Sequence, residues 1–119
     1  MIPVTDMIDH VQSLCRSHAI GLFWCRRPDR SYSMRACDEI TVAPIKSVVS
    51  YAVALHILGR HQESRQCIVR EHWAWDWAKR NALVWTPRMA RCAAGSLRWY
   101  ADGHAAAVDQ NRRPSIPMD

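Results

Sequence analysis

A histidine, an arginine and a glutamate are the residues of this 119-residue chain best placed to do chemistry together. His56 and Arg60 stand four apart in SVVSYAVALHILGRH, residues 47–61, a stretch otherwise nearly all apolar. On a helix that spacing puts them one turn apart on a shared face. Glu71 lies in a second helical stretch, in line with Cys67, Ala74, Trp75 and Ala78. The stripe is mostly apolar, and a carboxylate buried in it is costly unless it is paired or bound to metal. Three partners are on offer: a zinc ion shared with His56 and with His61 or His72, the Arg60 guanidinium, or backbone and tryptophan N–H donors.

The metal set His56, His61, Glu71 and His72 has poor spacing. His61 is about 140° from His56 on a continuous helix, so it joins only if the helix breaks at Gly59. His72 follows Glu71 directly and points about 100° away from it. Zinc asks for four ligands, three of them from protein at a catalytic centre. The metal-free alternative pairs Arg60 with Glu71 and so keeps two helices in register.

The flanks of His56 resemble a known family. SYAVALH followed by LGRHQ is similar to the zinc-binding helix of small ImmA/IrrE-type metallopeptidase domains of phages and mobile elements, which typically read ALHE(I/L)GH there. The resemblance covers roughly residues 20 to 100 and implies a minimal zincin-like domain. It also implies two histidines one turn apart on zinc, a glutamate after the first that activates the metal-bound water, and a third ligand, Glu71 of REHWAW, from the next helix. This chain departs from the pattern at its centre. Aligned without a gap, Ile57 replaces the glutamate and Arg60 the second histidine; aligned with a gap, one helical turn is missing and His56 is the only motif histidine. Both alignments remove the general base, and Glu63 and Asp76, the nearest other acids in sequence, lack the motif's geometry.

The resemblance and the broken motif together imply a catalytically inactive phage or mobile-element protein that acts by binding a protein partner. A counter-defence inhibitor of anti-CRISPR type is one concrete version. The enzyme alternative is a divergent zinc peptidase that recruits His61, His72 or a neighbouring chain's ligand.

The elements that must position these residues read as an α+β domain, mostly helical. Thr5 is placed to cap a first helix to about His18, with Ile8, Val11, Leu14 and Cys15 on one face and His10 and His18 off it. Ile20–Cys25 and Ser31–Cys37 are β-rich runs separated by RRPDR, whose Pro28-Asp29 is a turn signal, and they predict a hairpin. Alternation puts Tyr32, Met34 and Ala36 on the buried side of the second run. A third strand, Glu39–Ala43, completes a three-stranded antiparallel sheet. A helix that is apolar on nearly every side belongs at the centre of a domain, which makes residues 47–61 the central helix, with Gly59 a place to stop or bend. A helix over about 64–83 and a last one capped by Thr86-Pro87 cover it, the latter with Met89, Cys92, Ala93, Ser96 and Tyr100 inward. Residues 1–107 make the single domain and 108–119 a loose tail with two prolines.

Composition narrows the function less than the motif does. A net charge of +5 permits nucleic acid, acidic proteins or headgroups, and Lys79, Arg80, Arg88, Arg91 and Arg98 are a candidate basic patch, giving nucleic-acid binding as the third reading. Five cysteines without a CxxC pair suit a reducing compartment and small buried positions. Trp73, Trp75, Trp77, Trp85 and Trp99 are expected in the core, with any exposed one a binding hot spot. The acidic start MIPVTDMIDH has no signal-peptide pattern and no window is apolar enough for a membrane span, so the expectation is a cytoplasmic protein of a bacterial host that needs no cofactor.

Overall fold

The computed structural model describes residues 2–26, 31–65 and 67–102. The Pro28-Asp29 turn and the tail from residue 108 lie outside them. The order of elements is α1 (Val4–Ser17), β1 (Gly21–Trp24), β2 (Tyr32–Met34), β3 (Glu39–Val42), α2 (Val48–Gln62), α3 (Cys67–Asn81) and α4 (Pro87–Ala101). This is the expected α+β architecture, a small sheet and four helices.

α1 starts two residues earlier than its sequence suggests, with Pro3 at the N-cap, and Thr5 therefore sits in the first turn and caps nothing. Met7, Val11 and Cys15 are its buried residues, while Ile8 and Leu14 flank them. The helix ends in a Schellman turn: Ile20 N–H donates to Cys15 O at 2.9 Å and Ala19 N–H to Arg16 O at 3.2 Å. Ala19 takes the left-handed position, φ 56°, that glycine usually fills.

The sheet differs from expectation in its pairing. Its order is β1-β3-β2, with β1 parallel and β2 antiparallel to β3, so it is mixed, and β1 and β2 do not form a hairpin. The central place buries a strand most, and β3 has the residues that gain by it: Ile40 and Val42 are fully buried against α2. The true hairpin is β2–β3, reversed through a 3-10 turn at Arg35–Cys37 and Asp38 in the left-handed region, φ 51°. Because cross-strand partners share a face, Ser33 opposite Ile40 points toward α2, and Tyr32 and Met34, opposite Thr41 and Glu39, point away. Met34 is accordingly exposed rather than buried, and Ala36 is outside the strand.

α2 is the centre of the molecule. Every residue from Val48 to Gly59 is buried. Ser47 caps its start reciprocally with Ser50, whose Oγ also accepts from Lys46 N–H at 2.8 Å. The helix does not stop at Gly59 but runs on to Gln62. A Cβ there would stand 2.8 Å from the Ala74 carbonyl oxygen, so the glycine lets the α3 backbone lie directly on α2.

α3 and α4 close the core as the sequence predicts, with Glu71, Ala74, Trp75 and Ala78 buried in one stripe and Met89, Cys92, Ala93 and Ser96 in the other. Tyr100 is half-buried. Thr86 caps α4 by accepting from Met89 N–H at 3.3 Å, and Pro87 opens the helix. None of Trp73, Trp75, Trp77, Trp85 and Trp99 is exposed; the exposed tryptophan is Trp24, on edge strand β1. Of the described cysteines, Cys15 and Cys92 are buried, whereas Cys25 is half-buried and Cys37 exposed. Among the described residues no helix is long and apolar enough to cross a membrane.

Candidate functional site

The α2–α3 seam brings His56, Arg60 and Glu71 together. His56 Nε2 stands 3.0 Å from Glu71 Oε1, and Arg60 Nε 3.2 Å from Glu71 Oε2. Arg70 joins them, its Nε 3.5 Å from the same Oε2. The His56 ring lies flat on Trp75, centroids 4.2 Å apart and planes 10° from parallel. One helical turn separates His56 from Arg60 on α2 and Glu71 from Trp75 on α3, so two short spacings build the whole cluster.

Charge in the cluster follows from burial and from the partners. His56 and Glu71 are 1 % and 0 % exposed. Burial alone would raise the Glu71 carboxyl, but the His56 hydrogen bond and the charges of Arg60 and Arg70 outweigh it and hold the group below the usual carboxylate range. Burial pushes His56 down, against the upward pull of Glu71. The pair is therefore a neutral imidazole donating its Nε2–H to an ionised carboxylate. That leaves His56 Nδ1 buried without a hydrogen-bond partner among the described residues.

The residues of the metal set do not converge. His61 turns to Asp38, Nε2 to Oδ1 3.4 Å, because α2 runs unbroken through Gly59 and carries His61 round to the sheet side. His72 is exposed. Among the described residues no three or more His, Cys, Asp or Glu side chains form a metal-ligating group. The residues present do not fit zinc. His56 Nε2 and Glu71 are spent on each other, and a cation there would face two fixed guanidinium groups. Ile57, at the ungapped position of the motif glutamate, is buried, Glu63 is ion-paired with Arg65, and Asp76 is exposed. None of the three serves the His56 site as a base.

Two features were not read from the sequence. Arg70 was hidden because neighbouring helix positions diverge by about 100°, and only a long side chain reaches back across that angle. The second is a network around Tyr51, which is fully buried. Its Oη accepts from Leu83 N–H at 2.9 Å and donates to His10 Nδ1 at 2.6 Å, tying α1 and the α3–α4 connection to α2. The signal was available: a tyrosine in an all-apolar helix needs a partner for its hydroxyl.

Lys79, Arg80, Arg88, Arg91 and Arg98 are all exposed, the first two at the end of α3 and the others on α4. Arg91 and Arg98 lie about 20° apart round α4 and Arg88 about 60° from Arg91, away from the buried stripe. Comparison of the chain with protein-family models, curated proteins and solved structures finds no match.

Proposed function

We propose that this chain is a zincin-like scaffold of the ImmA/IrrE type without the chemistry, a phage or mobile-element protein of the bacterial cytoplasm that acts by binding another protein. The observation that carries the reading is the state of Glu71. The carboxylate that would ligate zinc is engaged by His56, Arg60 and Arg70, and the position beside His56 is a buried isoleucine that accepts no proton. The surface offered to a partner is the open side of the sheet with its β1 edge: Phe23 of β1 and Met34 of β2, on the open side, are 51 % and 44 % exposed, and Trp24, on the opposite side of β1, is 41 % exposed at that edge. Large apolar side chains beside a free strand edge suit a protein partner that adds backbone hydrogen bonds to side-chain contacts. A counter-defence inhibitor of anti-CRISPR type is a concrete form of this role.

Zinc per chain, measured on protein purified without chelator or metal-affinity resin, separates this reading from a divergent peptidase. The expected result is no stoichiometric zinc in either the parent or Glu71→Gln. Stoichiometric zinc in the parent that disappears in the variant would restore the peptidase reading. The binding surface is tested by capture from host lysate: a partner retained by the parent should be lost from a Phe23→Ser/Trp24→Ser double variant. Equal retention by both would move the interface elsewhere, with the exposed arginines of α3 and α4 the next surface to test.

A further inference from the structure

The Glu71 cluster is buried at His56 and Glu71 and reaches solvent only through its arginines, and its charges do not balance. Arg60 and Arg70 bring two positive charges to one carboxylate, while their side chains keep only 13 % and 31 % exposure. A surplus cation held mostly out of water calls for an anion. Both Nε atoms are buried, and although they lie near Glu71 Oε2, neither N–H is aligned on it, so both donors are without a hydrogen-bond partner. What exposure the two side chains retain lies beyond these buried atoms. Arg70 also stands in the first turn of α3, which carries no acidic residue to offset it.

We propose that the arginine end of this cluster binds a phosphate-type oxyanion, held between Arg60 of α2 and Arg70 of α3, with Glu71 as the fixed counter-charge that orients both side chains. A guanidinium presents paired donors that match the oxygens of an oxyanion. A tetrahedral, doubly charged ion has oxygens enough to meet both guanidinium groups in pairs; a planar carboxylate, with two oxygens and one charge, does not. Free phosphate and a phosphate monoester share this chemistry. The site is independent of partner binding by the sheet.

The test is an NMR titration of the full-length chain with sodium phosphate, with O-phosphoserine and with sodium acetate, ionic strength held constant with chloride. Phosphate or phosphoserine should give saturable shifts at the Arg60 and Arg70 Nε–H signals, and acetate should not. The tighter of the two phosphate ligands names the source. Arg70→Gln should weaken binding by about tenfold or more, and Arg70→Lys by less. Absence of saturable shifts in the parent chain overturns the proposal without any variant. So does equal binding of acetate, or an Arg70→Gln chain that folds and binds like the parent.

Discussion

Truncating Glu71 to alanine would leave the His56 N–H and two guanidinium groups facing one another with no anion between them. Breaking a buried pair in this way costs about 3–5 kcal/mol, so Glu71→Ala should lower the urea midpoint severely or unfold the domain. A variant that melts like the parent would show the cluster to be ornamental. Acid should act on the same residues. His56 and His10 are both pushed below the ordinary imidazole value of 6.5 by burial, so the unfolded chain binds their protons more readily than the folded one. Their contribution to stability is complete above 6.5 and is lost as pH falls below it toward their folded values. Glu71, held below its ordinary 4.5, adds a second loss below that value. Urea midpoints across this range should therefore fall in two stages, and a level profile between pH 6.5 and 4.5 would contradict the neutral state of both histidines. Much of this site was legible in advance because His56, Arg60 and Glu71 are related by helical spacing and by the cost of burying a carboxylate. His10 was not, since its partner Tyr51 lies 41 positions away and no local pattern joins them.

The helices were readable for a related reason: apart from the start of α1, where Pro3 and not Thr5 is the N-cap, each follows a local signal that the fold has no cause to override. Ser47 and Thr86 cap where a cap was needed, and the stripe through Glu71, Trp75 and Ala78 turned inward as its period required. Strand pairing is not local, and the Pro28-Asp29 turn signal in the sequence after β1 concealed that β3 lies between β1 and β2. Gly59 shows how one residue type carries different meanings. As a helix terminator it would resist alanine through a left-handed backbone, whereas here it resists alanine because the Ala74 backbone lies against it. Gly59→Ala forces the two backbones apart and should cost about 1–3 kcal/mol in chemical denaturation, despite alanine's better helix propensity. Ala19 predicts the opposite sign. Its left-handed backbone is strained for any residue with a Cβ, so Ala19→Gly should stabilise the chain by about 1 kcal/mol, read as a higher melting temperature.

For the molecule as a whole, stability and binding are assigned to different places. The core is gathered round α2, whereas Phe23 and Trp24 lie on the rim of the sheet, so the Phe23→Ser/Trp24→Ser variant should stay folded, with a far-ultraviolet spectrum like the parent's, while it loses its partner. The same arrangement has a consequence for how the chain is made. Both edge strands leave the ribosome before the strand that joins them, and until Val42 has emerged neither has its partner. α2 follows, apolar on every side, with only α1 and the nascent sheet to cover it. Its other flank stays bare through the synthesis of α3 and α4. A pause anywhere between Gln62 and Ala101 would therefore display the stickiest segment of the protein to solvent, and chaperones that grip apolar helices should hold the nascent chain most firmly in that interval.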